Sequence, residues 1–153
     1  MVNVIGWVAT VLCKGDVWRF TTAVRPDGDG YYLKYPDITA GIAWAPVAVG
    51  GRTEALIWTP ERVFRKIGPV DTATELKEDG TASIADVRGI TWAPVALGRT
   101  EALLWTPERV FRKSEPNDTA TELKEGGTAS IANVRGITWA PMAIGGSEAL
   151  IWT

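Results

Sequence analysis

The chain contains no histidine and a single cysteine, Cys13, among its 153 residues. Without imidazole it lacks the commonest general base, the histidine ligands of zinc and haem, and the Ser-His-Asp triad. One thiol makes neither an internal disulfide nor a thiolate metal cluster. Cys13 closes the apolar run Val8 to Cys13 and reads as a small buried side chain rather than a reactive one. An excess of either charge is also lacking, since 16 Lys and Arg stand against 18 Asp and Glu. A net charge of -2 gives no basic field to hold a polyphosphate by counterion release, so nucleic acid is not an expected partner. No apolar run reaches the ~18 residues of a membrane span. The apolar start, Met1 to Cys13, has neither a basic segment before it nor a small-x-small cleavage site. These features lead us to expect a soluble, cytoplasmic protein with no membrane partner and no cofactor.

Repetition is what the chain has in quantity. Thr53 to Arg99 and Thr100 to Gly146 align without a gap over a period of about 47 residues, with roughly four positions in five identical. The string TEALLWTPERVFR at Thr100 to Arg112 marks the unit; it stands nearly unchanged at Thr53 to Arg65 and begins again at Ser147. The chain therefore reads as one repeat domain over 1–153, with a diverged repeat at 1–40, full repeats at 41–88 and 89–135, and a partial repeat at 136–153. The first segment joins the series when VLCKGDVWRF is laid on LLWTPERVFR with one deletion, which brings Cys13 to Trp105, Val17 to Val110, Trp18 to Phe111 and Arg19 to Arg112.

Each full unit predicts four short strands, which in the third unit are Ile90 to Leu97, Glu101 to Thr106, Arg109 to Lys113 and Ala120 to Glu125. Turns at Gly98-Arg99, Thr106-Pro107, SEPND and EGGT separate or bound them. The segment TASIANVR, Thr128 to Arg135, has room for one short helical turn. Ahead of the full units, Val2 to Phe20 predicts a hairpin about Lys14-Gly15-Asp16, and Tyr31 to Tyr35 a third strand. The run Ala102 to Trp105 is continuously apolar rather than alternating, as expected of a strand covered on both faces.

These features define the expected fold class: all-β, a β-propeller of four-stranded blades with about 47 residues per repeat, with a β-trefoil as the alternative. The partial last repeat implies closure through the diverged first one, within the chain or across to a second copy, so a homo-oligomer is expected. Lys14 to Phe20, KGDVWRF, with Tyr35-Pro36-Asp37-Ile38 after it, resembles the signatures of hemopexin-like repeats. That resemblance implies a four-bladed propeller. The family's inner strands usually carry Asp-Ala-Ala facing a central ion, whereas here they read GIAWAPVA, GITWAPVA and GITWAPMA. The family's haem binding uses histidines, so the resemblance speaks for fold rather than ligand.

Tryptophan is the candidate functional residue. Trp44, Trp92 and Trp139 stand on one strand of successive units, and Trp58, Trp105 and Trp152 on the next. Exposed at equivalent places, indoles make a multivalent set of platforms for sugar rings or cations; buried, they fill the space between units. Trp44, Trp92 and Trp139 are the expected ligand contacts. DGDG at Asp27 to Gly30 begins like a calcium loop but lacks a closing acidic residue, and reads as a turn, so no metal site is expected. Glu101 and Glu108, or Glu54 and Glu61, lie beside Arg109 or Arg62. They read as solvated salt bridges on strand edges rather than as a catalytic pair, which needs one cleft and separated pKa values. The expected function is binding without catalysis, of a carbohydrate or small ligand. The alternative is a structural or engineered repeat whose main property is self-assembly.

Overall fold

In the computed structural model the described residues are 8–13, 16–21, 30–33, 40–46, 54–67, 73–94, 100–114, 118–140 and 148–153, with the backbone alone described in the first three stretches. The expected DGDG turn, the Tyr35 to Ile38 motif and the burial of Cys13 lie outside them. The described residues form strands and turns with no helix, and none of them makes a helix long and apolar enough to cross a membrane.

The repeats fold as antiparallel meanders. The first full one comprises β4 (Gly41–Trp44), β5 (Glu54–Trp58), β6 (Val63–Ile67) and β7 (Thr74–Glu78), with the two-residue β8 (Ala82–Ser83) on its edge. The second comprises β9 (Gly89–Trp92), β10 (Glu101–Trp105), β11 (Val110–Ser114) and β12 (Thr119–Glu125), with β13 (Ala129–Ser130) alongside. Ahead of them β1 (Val8–Cys13), β2 (Asp16–Thr21) and β3 (Gly30–Leu33) make a three-stranded sheet, which bears out the expected hairpin and third strand. After them β14 (Gly136–Trp139) and β15 (Ala149–Trp152) make a hairpin.

The two meanders do not remain separate sheets. The end of β7 pairs parallel with the start of β12, Thr119 opposite Lys77 and Ala120 opposite Glu78. Lys77 N–H donates to the Asp118 carbonyl at 3.2 Å and Asp79 N–H to that of Ala120 at 3.0 Å. The order β4-β5-β6-β7-β12-β11-β10-β9, with β4 lying beside β9, is a nearly closed, barrel-like sheet of eight strands. The segment TATELKE, Thr119 to Glu125, is thus a seam strand at its first two residues: the backbone groups at the end of β7 find their partners there.

The expected helical turn at Thr128 to Arg135 is replaced by β13 and a loop in which Asn133 has φ 57°, as Asp86 has 56° in the unit before. Asn and Asp tolerate this left-handed conformation, and each holds its loop against the turn of its own unit: Asp86 N–H donates to the Pro60 carbonyl and Asn133 N–H to that of Pro107, both at 2.8 Å. Ile84 and Val87 of the first such loop are thereby set into the core.

The core lies between the meanders. Leu56, Val63 and Leu76 of the first meet Ala102, Leu104, Phe111 and Ala120 of the second. Shifted by the repeat period, the first set corresponds to Leu103, Val110 and Leu123, so one face of a unit packs on the opposite face of the next. That stacking is head to tail and covers Ala102 and Leu104; Leu103, on the other face of β10, is buried as well. Each fully buried Leu or Phe contributes about 1.5–3 kcal/mol.

The TPER turns are legible residue by residue. Thr106 Oγ1 accepts the N–H groups of Arg109 at 3.0 Å and Glu108 at 3.3 Å, and Thr106 N–H donates to the Arg109 carbonyl at 2.9 Å. Thr59 does the same in the first unit. Replacing the hydroxyl by a methyl strips the acceptor from two N–H groups in a partly buried turn. Thr106→Val is therefore expected to lower the unfolding free energy by about 1–2 kcal/mol in urea titration.

Candidate functional site

The side chains of chemical interest gather where one unit meets the next. Glu54 is buried and central. Its Oε1 accepts from Arg65 Nε and lies against Lys113 Nζ, both at 2.6 Å, and its Oε2 accepts from Thr100 Oγ1 at 3.0 Å. Arg65 reaches the following unit as well, donating from Nη1 to Asp118 Oδ1 at 2.9 Å. Farther along the seam Arg109 Nη1 meets both carboxylate oxygens of Glu78, at 2.9 and 2.8 Å, while its guanidinium lies 4.9 Å from the Phe111 ring centroid. Burial alone would push the Glu54 carboxyl up. The hydrogen bonds and charges of Lys113 and Arg65 outweigh burial and hold it below the ordinary range. Arg65 is likewise raised, its desolvation outweighed by Glu54 and Asp118. A carboxylate held ionised between two cations is a structural anion, the reverse of a general acid kept protonated.

This corrects the reading of Glu54 beside Arg62 as a solvated edge bridge: Glu54 is buried and pairs with Arg65, whose side chain is 6% exposed. The equivalent pair, Glu101 and Arg112, has the same 2.6 Å contact with Arg112 50% exposed. Sequence reasoning missed Lys113. The parity of β11 carries the signal, because residues two apart share a strand face and Lys113 is therefore placed with Phe111, on the side that packs inward.

The two tryptophan sets behave differently. Trp58, Trp105 and Trp152 lie over Gly41, Gly89 and Gly136, their direct cross-strand partners, and a Cβ on any of those glycines would overlap the ring. Their role is to cover a strand position that only glycine leaves open. Trp44, Trp92 and Trp139, the expected ligand contacts, are each half-buried on the first strand of a unit. Trp92 spans the seam: its Nε1–H donates to the Ala43 carbonyl of β4 at 3.1 Å, and Lys113 Nζ lies 5.5 Å from its ring centroid. Trp139 holds the same place one unit later, yet its buried Nε1–H has no partner among the described residues. The structure places these three residues at the ends of successive first strands, β4, β9 and β14.

The described side chains contain no group of three or more His, Cys, Asp or Glu able to hold a metal ion. Taken together, the fold and the seam define an all-β repeat protein whose units stack through buried ion pairs and tryptophan. Comparison with family models, with curated proteins and with solved structures finds no match for the chain.

Proposed function

We propose that the chain is a non-catalytic binding module, a β-propeller of repeated four-stranded blades that takes a carbohydrate or another small hydroxyl-bearing ligand at its first-strand tryptophans. The observation that carries this reading is the buried indole N–H of Trp139, which has no partner among the described residues, set beside the same group of Trp92, which is satisfied by Ala43. An indole N–H buried without an acceptor costs about 1–3 kcal/mol, so the site calls for an oxygen. A sugar supplies one, and its apolar face stacks on an indole. Head-to-tail stacking of units supports the propeller form, and repetition of the tryptophan favours multivalent binding. The hemopexin-like resemblance of Lys14 to Phe20 belongs with this proposal.

A glycan array probed with the purified chain tests it. Binding is expected to be lost in Trp139→Ala and weakened roughly 3- to 10-fold in Trp139→Phe, which keeps a ring but removes a donor worth ~1 kcal/mol. An array without hits, together with tryptophan fluorescence unmoved by any sugar, overturns the proposal.

A further inference from the structure

The loop after β7 and its counterpart after β12 differ at a single residue: Glu78-Asp79-Gly80-Thr81 in the first full unit, Glu125-Gly126-Gly127-Thr128 in the second. Both take the same shape. Thr81 N–H donates to the Glu78 carbonyl at 2.9 Å, and Thr128 N–H to that of Glu125 at 3.2 Å. The two central residues are left-handed in each, with φ 44° and 76° at Asp79 and Gly80 and 58° and 79° at Gly126 and Gly127. This is the type I′ turn, which takes Asp-Gly as readily as Gly-Gly. Asp79 and Gly80 are both exposed. A glycine after aspartate leaves its peptide nitrogen open to the neighbouring carboxyl, because it has no Cβ to stand in the way. Among the described residues Asp79 is the aspartate with that successor. Asp16 and Asp86 precede valine and Asp118 precedes threonine, β-branched residues that crowd the nitrogen.

We infer that Asp79-Gly80 is a site of spontaneous backbone modification, from aspartyl to isoaspartyl, and that the change acts on the seam between the two meanders. The Gly80 nitrogen attacks the side-chain carboxyl carbon of Asp79. A C–N bond forms, a C–O bond breaks, and the amide hydrogen and carboxyl hydroxyl leave as water, closing a cyclic imide. Water then opens the imide at either carbonyl. Opening at the main-chain carbonyl leaves Gly80 joined through the Asp79 side chain, with mass and charge unchanged and one carbon added to the main-chain path. Solvent water is the one co-reactant. The seam feels this because Asp79 N–H donates to the Ala120 carbonyl at 3.0 Å, beside Lys77 N–H on the Asp118 carbonyl at 3.2 Å, and these bonds join β7 to β12. The added carbon falls directly after Asp79 N–H, in the turn that holds it against Ala120.

Ageing the full chain at neutral pH and body temperature for several weeks tests the inference. Peptide mapping with electron-transfer fragmentation distinguishes isoaspartyl from aspartyl at equal mass. Isoaspartate is expected to accumulate at residue 79, and not at 86 or 118. Asp79→Gly, which reproduces the loop of the second unit and keeps the backbone N–H, is expected to abolish it. Asp79→Asn, whose side chain carries no negative charge to repel the attacking nitrogen, is expected to reach the same product several-fold faster. Hydrogen exchange reads the seam: the Lys77 and Asp79 amides are expected to exchange faster in aged wild type than in fresh, and to be unchanged in aged Asp79→Gly. Aspartate intact at 79 after ageing, or isoaspartate as frequent at 86 or 118, overturns the site. Isoaspartate at 79 with unaltered exchange at Lys77 and Asp79 overturns its action on the seam.

Discussion

Glu54→Leu is expected to cost about 3–5 kcal/mol of folding stability, because it leaves Lys113, whose side chain is 0% exposed, buried without its carboxylate. Arg65 keeps Asp118 as a partner, so the loss falls mainly on Lys113 and Thr100. Removing the lysine too should return most of the stability: in Glu54→Leu/Lys113→Met the Glu54–Lys113 pair becomes apolar while Arg65 stays paired with Asp118, and a buried ion pair exchanged for hydrophobic side chains of similar size is often neutral or better. Chemical denaturation of the two single variants and the double variant would display this as strong non-additivity. Glu101→Leu is the internal control. Its partner Arg112 is half exposed, and the change is expected to cost only about 0–1 kcal/mol.

Acid should act on the same group. The folded-state pKa of Glu54 lies below its ordinary value, so the unfolded chain binds the extra proton first. The contribution of Glu54 is therefore complete above the unfolded carboxylate value of ~4.3 and is lost as pH falls through the lower folded value. Melting temperatures measured down through that range should fall more steeply in the wild type than in Glu54→Leu/Lys113→Met. Parallel curves would mean that Glu54 is not the titrating anchor.

The second large effect is expected at Gly89. A Cβ there would overlap the ring of Trp105, its direct partner across β9 and β10, so Gly89→Ala forces the indole or the strand to move. Overpacking of this kind costs about 1–3 kcal/mol. Trp105→Leu in the same chain makes room, and the double variant is expected to lose less than the sum of the two single changes. Simple additivity in thermal unfolding would show that the glycine is tolerated for another reason.

Much of the fold was legible in the residues. The repeat period set the units, and the Thr-Pro-Glu-Arg strings set the turns, since threonine, proline and short polar residues have a stated conformational use there. The continuous apolar run of β10 announced coverage on both faces, and Ala102, Leu103 and Leu104 are buried as it implied. Other features were not legible. The pairing of β7 with β12 is a contact between distant segments, and the backbone groups that make it carry no side-chain signature. The loop after β12 reads like a helical turn because Ala, Ile and Val fit either structure; a left-handed Asn133 bonded to Pro107 decides otherwise. The candidate tryptophans were identifiable by type and period. Which indole N–H is claimed by a carbonyl was not, because Ala43 lies 49 residues from Trp92 along the chain.

By itself the sequence determined the all-β class, the unit, its turns and the residues that alternate on each strand, because these follow from local propensity and a period of two. Only the tertiary structure decided what each repeated residue does. Identical strings at Glu54 and Glu148 place one leucine in the core and another at the surface, and equivalent Glu–Arg pairs lie at different depths. The physical reason is that burial and electrostatic strength belong to the neighbours a strand acquires, and a repeat encodes the strand without saying which of its copies will have a neighbour.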